Sequence, residues 1–279
     1  MPSPERAGAG VLITYDDIHV QVDAGRSTLM RLGQAGVAPH ALTVVLLTHL
    51  HSDHVTGLAD LVLTRWVQDH LYHTGGLPLV APAGRAETFL QRLLDTYEYD
   101  IEVRAQHVQE GGPQVEAHWF DVPDKPAVVW RSACGRVEIE AVRVRHEPVE
   151  EAVGYRITTP DGSVVVSGDT RVCDEVAELS AGADVLVHEA CRSTALAEAV
   201  RGTRFETIFS YHADTVALGA MAQRVGVPHV VLTHLIPAPN TPGEEQEFTA
   251  DLRRGGYDGQ VTVGQDLATI EFGQEPASS

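Results

Sequence analysis

The chain has 279 residues, of which 43% are hydrophobic and 21% are charged, and this composition excludes a disordered or fibrous protein. Its 20 basic and 39 acidic residues give a net charge of −19 at pH 7, which disfavours a uniformly basic nucleic-acid-binding surface but leaves a local basic patch open. Three cysteines are too few for a disulfide scaffold, and no apolar run approaches the roughly 18 residues of a membrane span. No secretory signal is visible, so we expect a cytoplasmic protein.

Taken in chain order, the hydrophobic pattern predicts short strands that alternate with helices. Strands are predicted at residues 11–15, 19–22, 43–47, 77–80, 137–144, 153–158, 163–167, 184–187, 229–232, 261–263 and 268–272. Helices are predicted up to about residue 36, at 58–71, from 85 to about 96, and ahead of the strands at 184–187 and 229–232. Paired strands followed by alternating strands and helices occur twice. This order predicts an α/β fold of two mixed sheets with helices outside, in one domain spanning 1–279.

Three imidazoles and one carboxylate follow the predicted buried strand at 43–47, in the string T-H-L-H-S-D-H at residues 48–54. These side chains are ligand types of zinc and similar divalent metals. His49 and His51 could grip one ion, and Asp53 and His54 could face a second. The other interpretation is a solvated histidine-rich loop, which four ligand types at this spacing disfavour. The whole chain has fourteen histidines, which is an unusually high number for its length.

The H-x-H-x-D-H string resembles the signature of the metallo-β-lactamase superfamily. The family's remaining elements follow in order as His146, Asp169 and His234, each at the end of a predicted strand, although His146 or His234 alone would more often be structural. The resemblance implies an αββα sandwich and a centre of two divalent ions, zinc first, with manganese or iron as alternatives. By the same resemblance the first ion is held by His49, His51 and His146, the second by Asp53, His54 and His234, and both by Asp169.

Within the superfamily, three local strings resemble the ribonuclease Z-like branch: residues 47–58, V-H-E-A-C at 187–191 and H-A-D-T at 212–215. The resemblance implies that His212 donates a proton to the leaving group, although a surface or helix-cap histidine is the plainer alternative. Glu189 is expected to orient His212, and Asp53 to position the attacking hydroxide as well as bind metal. Asp23, in V-D-A-G, and His188 are expected to support the ligands, although a turn-forming aspartate is also adequate at residue 23.

Two departures from the branch shape the expected substrate. We expect the branch's usual opening strand to be missing or replaced by another element or a partner chain. Residues 60–135 carry aromatic side chains but no basic, glycine-rich arm. We therefore interpret 60–135 as an insert that covers the substrate. With the charge of −19, this favours a small-molecule ester (carboxylic, phosphoric or sulfuric ester, or lactone) over tRNA.

The expected activity is thus metal-dependent ester hydrolysis by a hydroxide that bridges the two metals. The alternative is a tRNA 3′-end processing endoribonuclease. A di-iron redox protein is disfavoured because His51 stands where such members carry Glu, and a non-catalytic scaffold because all seven ligands are retained. We also expect a homodimer and no membrane association.

Overall fold

The computed structural model describes residues 6–108 and 111–273, and the chain divides into two compact units, 1–121 and 122–279. Each unit contains one mixed sheet with its own helices, so the predicted α/β class with two mixed sheets flanked by helices is confirmed. The interpretation as one domain stays a prediction. Among the described residues, no helix combines the length and the apolar character that crossing a membrane requires.

The first unit is built on a sheet whose described strands have the order β1-β2-β3-β4-β5. Its strands are β1 (Val11–Tyr15), β2 (Ile18–Val22), β3 (Val44–Leu46), β4 (Leu77–Pro82) and β5 (Val115–Phe120). Strands β1 and β2 form an antiparallel hairpin, and the pairs from β2 to β5 are parallel. Strand β3 is buried along its whole length, as expected for a central parallel strand covered on both faces.

Most helices of this unit bury side chains in its core, whereas the helix at Glu98–Val108 buries none. They are α1 (Thr28–Gln34), α2 (Ser52–Val55), α3 (Leu58–Tyr72), α4 (Arg85–Arg92) and α5 (Glu98–Val108), with short 3-10 helices at Pro39–Ala41 and Asp95–Tyr97. Leu58, Leu61 and Val62 of α3 lie in the core with Leu77 and Leu79 of β4. The i, i+3, i+4 spacing of the three α3 residues is why this helix was predictable.

A buried arginine also stabilises this unit. Arg65 of α3 donates five hydrogen bonds to main-chain carbonyl oxygens at 2.9–3.3 Å, two of them in the segment 74–75 and three in the segment 39–42. Burial lowers the pKa of its guanidinium from the ordinary value. The side chain thus supplies the donors that two irregular segments need.

The second unit is built on a sheet whose described strands have the order β12-β11-β10-β9-β8-β7-β6. Its strands are β6 (Ala127–Arg131), β7 (Glu138–Arg143), β8 (Val153–Thr159), β9 (Gly162–Val166), β10 (Val185–Cys191), β11 (His229–Ile236) and β12 (Gln260–Val263). Strands β6 to β9 pair antiparallel, whereas β9 to β12 pair parallel. The carboxyl ends of β9, β10 and β11 therefore meet at one edge of the sheet.

Helices of the second unit are α6 (Asp174–Leu179), α7 (Ser193–Val200), α8 (Arg204–Ser210), α9 (Thr215–Val225) and α10 (Pro242–Arg254). The core of this unit joins Leu186 of β10, Leu232 of β11, Leu218 and Met221 of α9 and Phe248 of α10. Helices α7 and α8 contribute no buried side chain. They form the exposed connection from β10 to His212.

Several parts of the secondary structure differ from prediction, and helices α7, α8 and α10 were not predicted. Residues 268–272 alternate apolar and polar side chains, but they form no strand and pair with none of the described strands. Strands β5 and β6 and helix α5 lie in the stretch 98–134, where no element was predicted, and among them only Val129 of β6 is buried. Since 60–135 supplies strands to both sheets, it is more than a cover, and its substrate-covering role stays a prediction.

Candidate metal centre

In the first unit, the candidate ligands lie on the loop that follows β3 and on the one-turn helix α2. The rings of His49 and His51 are 4.7 Å apart between centroids, and those of His49 and His54 are 4.2 Å apart. His49 and His54 are buried, His51 is exposed, and the Asp53 carboxylate lies 3.9 Å from His54 Nε2. The structure therefore brings the side chains of this motif together at one end of β3.

Asp23, which follows β2, anchors this loop from a buried position. Its Oδ1 accepts a hydrogen bond from the Thr48 main-chain nitrogen at 2.8 Å. Its Oδ2 accepts from the Thr48 hydroxyl at 2.8 Å and lies 2.7 Å from His54 Nδ1. Asp23 has a φ of 57°, a left-handed conformation that aspartate tolerates better than most residues. One carboxylate thus fixes both the loop and a candidate ligand.

These contacts determine which ring nitrogens point toward a metal. The Thr48 proton is donated to Asp23, so its oxygen accepts from His49 Nδ1 at 3.0 Å. His54 Nδ1 in turn donates to the Asp23 carboxylate. A histidine that is protonated on Nδ1 carries its lone pair on Nε2. Metal-binding histidines characteristically have such a partner at the nitrogen opposite the metal, so His49 and His54 fit a divalent ion.

In the second unit, a carboxylate lies among three histidines. The Asp169 Oδ2 atom is 3.4 Å from His234 Nε2 and 3.9 Å from His146 Nε2. Candidate ligand atoms of Asp169, His212 and His234 all lie within 4.8 Å of one another. His146 Nδ1 is 3.4 Å from the carbonyl oxygen of Tyr211, which again directs Nε2 toward the carboxylate. The imidazole and carboxylate donors of this cluster suit zinc and similar ions.

A β-bulge and residues with positive φ set the directions of two of these candidate ligands, His234 and Asp169. In the pairing of β10 with β11, Glu189 lies opposite Thr233 and Ala190 opposite Leu235, which leaves His234 as the extra residue of a β-bulge. His234 accordingly has a φ of 43°. Asp169 follows Gly168, whose φ of 62° is readily adopted by glycine. Asp169 beyond β9 and His234 within β11 thus leave the backbone in directions that a regular strand would not give.

Glu189 of β10 holds His212 in place. His212 Nδ1 is 2.9 and 3.0 Å from the two carboxylate oxygens of Glu189, and the Thr170 main-chain nitrogen donates to one of them at 2.7 Å. Burial raises the pKa of Glu189 well above its ordinary value, and the nearby Asp169 charge raises it further. The ring of His212 also stacks on that of His234 at 5.7 Å between centroids. His212 is therefore oriented through Nδ1.

His188 is fully buried beside Glu189 on β10. Its Nδ1 donates to the Glu189 carbonyl oxygen at 2.8 Å, and burial lowers the pKa of its imidazole to about 4. The ring is thus neutral in the folded protein. Its supporting role, like the roles assigned to the other predicted site residues, stays a prediction.

Three contacts at the site were absent from the sequence interpretation. Thr48 orients His49, Tyr211 contacts His146, and the Thr170 nitrogen binds Glu189. The centroid of the Tyr211 ring lies 5.4 Å from that of His146 and 5.2 Å from that of His212. Thr48 lies inside the motif and could have been recognised, whereas nothing in the sequence distinguishes Tyr211.

Comparison with known proteins identifies the class to which this fold and these ligands belong. The family described as Beta-lactamase superfamily domain matches residues 19–235. Ribonuclease Z of Mycobacterium bovis (strain BCG / Pasteur 1173P2) is 36% identical over 273 residues, covering 97% of this chain and 94% of that protein. Ribonuclease Z of Mycolicibacterium gilvum (strain PYR-GCK) is 36% identical over 276 residues, covering 97% and 92%. The chain belongs to the ribonuclease Z-like branch of the metallo-β-lactamase superfamily.

Solved structures agree on the fold. The metallo-β-lactamase fold protein YhfI from Bacillus subtilis matches with a TM-score of 0.70 and 22% identity, covering 95% of this chain and 92% of that one. The short form of human tRNase Z matches with a TM-score of 0.69 and 18% identity, covering 97% and 95%. The chain therefore has the metallo-β-lactamase fold. Family membership and the clusters of histidine and aspartate side chains together indicate that it binds divalent metal.

These relatives overturn one sequence expectation. We predicted that a small-molecule ester is the main substrate and a more probable partner than tRNA, and this prediction is wrong, because ribonucleases match over nearly the whole chain. Net charge describes the chain as a whole, and the missing arm describes only the segment 60–135. They carry no information about the local surface beside a catalytic centre, which is why they misled.

Proposed function

We propose that this chain is a metal-dependent endoribonuclease that processes the 3′ end of precursor tRNA. The observation that carries the proposal is the Glu189–His212 pair, whose hydrogen bonds of 2.9 and 3.0 Å lie beside Asp169 and His234. Such a pair supplies a proton donor next to candidate metal ligands, as cleavage of an unactivated phosphodiester requires. The 36% identity to named ribonucleases Z over 97% of the chain supports RNA as the substrate.

We propose zinc as the metal, because imidazole nitrogens dominate the donor set. The residues proposed for the first ion are His49, His51 and His146, those for the second are Asp53, His54 and His234, and Asp169 is proposed to bind both. Bound divalent ions would lower the pKa of water toward neutrality and offset the negative charge of a phosphodiester. Hydrogen bonds at Nδ1 of His49 and His54 support binding through Nε2.

The protein's own groups have distinct roles in this scheme. Asp53, with 47% of its side chain exposed, can accept a hydrogen bond from an attacking water molecule and so orient it. His212 donates a proton from Nε2 to the departing ribose oxygen, which is a poor leaving group when unprotonated. Glu189 lies within hydrogen-bonding distance of His212 Nδ1 through both carboxylate oxygens and so orients the ring for donation from Nε2. A homodimer stays a prediction, which sedimentation analysis would test.

The experiment uses zinc-loaded protein and a precursor tRNA that carries a labelled 3′ trailer. We expect one endonucleolytic cut at the trailer junction, abolition of cleavage by EDTA, and recovery on adding zinc. An Asp174→Asn variant serves as control, because this carboxylate is 90% exposed on α6 and lies in neither ligand set. Intact precursor after incubation with fully metal-loaded protein would refute the proposed function.

A further inference from the structure

A buried carboxylate outside both ligand sets connects the two segments that carry the Glu189–His212 pair. Asp251 of α10 is fully buried. It accepts a hydrogen bond from the Thr215 hydroxyl at 2.8 Å and another from Arg192 Nε at 2.8 Å, and it contacts Arg254 one turn along the helix. A buried charge is costly unless it is paired and hydrogen-bonded, so these partners are held firmly.

The partners of Asp251 lie at equivalent places in the two segments. Arg192 comes three residues after Glu189, and Thr215 comes three residues after His212. The main-chain nitrogen of Arg192 also donates to the Ile236 carbonyl oxygen at 2.9 Å, just beyond the β-bulge of β11. Asp251 therefore links, through two side chains, the end of the strand carrying Glu189 and the helix start that follows His212.

Other hydrogen bonds join the same two segments at further points. The Cys191 nitrogen donates to the Ala213 carbonyl oxygen at 2.7 Å. Asp214 caps α9 with one oxygen and accepts a hydrogen bond from the Thr194 nitrogen at 2.6 Å with the other. These bonds set the approximate placement of the segments. Asp251 adds a side-chain connection, since its carboxylate binds both Arg192 and Thr215. The Arg192 side chain is mostly buried and Thr215 is fully buried.

We propose that Asp251 is a positioning residue that fixes the distance between the Glu189 carboxylate and His212 Nδ1. This inference rests on the proposed function, in which His212 donates the proton. If the connection through Arg192 and Thr215 is loosened, the His212 segment can shift relative to β10. Proton transfer then becomes slower, because it depends steeply on geometry, whereas the groups proposed to bind metal keep their positions.

The test separates proton donation from general activity by varying the leaving group. The variants are Asp251→Asn, Thr215→Val and Thr215→Ser, with Asp174→Asn as an exposed Asp-to-Asn control that also has an arginine partner. Each is assayed on precursor tRNA, on diphenyl phosphate and on bis(p-nitrophenyl) phosphate. The p-nitrophenolate departs with little help from an acid, so its release is insensitive to the placement of His212.

We expect Asp251→Asn and Thr215→Val to lower kcat on precursor tRNA by about tenfold, with KM little changed. A smaller fall is expected on diphenyl phosphate and almost none on bis(p-nitrophenyl) phosphate. Thr215→Ser, which keeps the hydroxyl, should restore activity on all three substrates. Metal content, measured by atomic absorption, should equal that of the wild type in every variant.

Equal losses on all three substrates, or wild-type kcat in Thr215→Val, would overturn the inference. If Asp251→Asn does not fold, the Thr215 variants still decide, because they leave the Asp251–Arg192 ion pair in place. Wild-type protein that hydrolyses the aryl diesters but leaves precursor tRNA intact would refute the proposed function alone. In that case the two diesters still measure the dependence on leaving group, and protein inactive on every substrate would refute both ideas.

Discussion

Replacing Asp23 with asparagine tests how the first ligand set is held. Asparagine has the same size and also tolerates positive φ, so it preserves the backbone at 57°. The carboxylate accepts from the Thr48 nitrogen, the Thr48 hydroxyl and His54 Nδ1. An amide accepts at only one of its two positions, so whichever way it turns, its NH2 group faces at least one donor.

The expected magnitude follows from those contacts. A buried donor that loses its acceptor costs about 1–3 kcal/mol, so the free energy of unfolding of the metal-free protein should fall by about that amount. Loss of a carboxylate behind a metal-binding histidine lowers metal affinity by about 10–100-fold. Urea unfolding in EDTA measures the first quantity, and competition for zinc with a chromophoric chelator measures the second.

Asp16→Asn provides the matched control. Asp16 also has a positive φ, 52°, but it is exposed in the turn between β1 and β2. Its substitution should change the free energy of unfolding by less than about 0.5 kcal/mol and leave zinc affinity unaltered. If Asp23→Asn matched Asp16→Asn in both stability and zinc affinity, the reasoning about the Asp23 carboxylate would be refuted.

Three further predictions concern the ligands, a buried cation and a buried imidazole. Asp169→Ala should lose bound metal together with activity, whereas His212→Ala should keep its metal and lose about 10²–10⁴-fold in kcat. Equal metal content in the two variants would contradict the assignment of Asp169 as a metal ligand. Arg65→Met should lower the free energy of unfolding, measured in urea, by about 3–5 kcal/mol, because methionine leaves five carbonyl oxygens without their donor. Arg65→Lys should lower it by less. Equal stability of the two variants would argue against a stabilising role of these hydrogen bonds. His188 has a folded pKa of about 4 against an ordinary 6.5, so the unfolded state binds the extra proton between these values and stability falls as pH drops through this range. Over that range the wild type should lose about 3 kcal/mol more than His188→Gln, measured by urea unfolding at each pH, and identical pH dependence would contradict burial as the cause.

The sequence predicted the fold best where side chains are buried on a regular period. Helix α3 and the wholly buried strand β10 were predicted because apolar residues dominate their contact faces. Strands β5 and β6 were missed, and both lie at sheet edges with few buried positions. In β6 exposed positions interrupt the alternation, whereas Val115, Ala117 and Trp119 of β5 do alternate with polar residues and could have been recognised. The false strand at 268–272 shows the converse, since alternation predicts a half-buried face but not a neighbouring strand.

The candidate site was predictable to the extent that its residues are close in the sequence. The motif at 48–54 could be interpreted locally because its ligands lie on one loop. Contacts across long chain separations could not, such as His146 with Tyr211, 65 residues apart, or Thr215 with Asp251, 36 residues apart. The substrate was mispredicted for a related reason, because total charge does not say where charges lie.

The β-bulge at His234 makes the direction of a ligand depend on the length of the chain as well as on its chemistry. Because His234 is the extra residue between Thr233 and Leu235, deleting Thr233 would let the strand pair regularly with β10. The histidine would then alternate into the opposite face of the sheet. A one-residue deletion in this strand could therefore yield a more regular sheet and an inactive protein, even though every candidate ligand is still encoded.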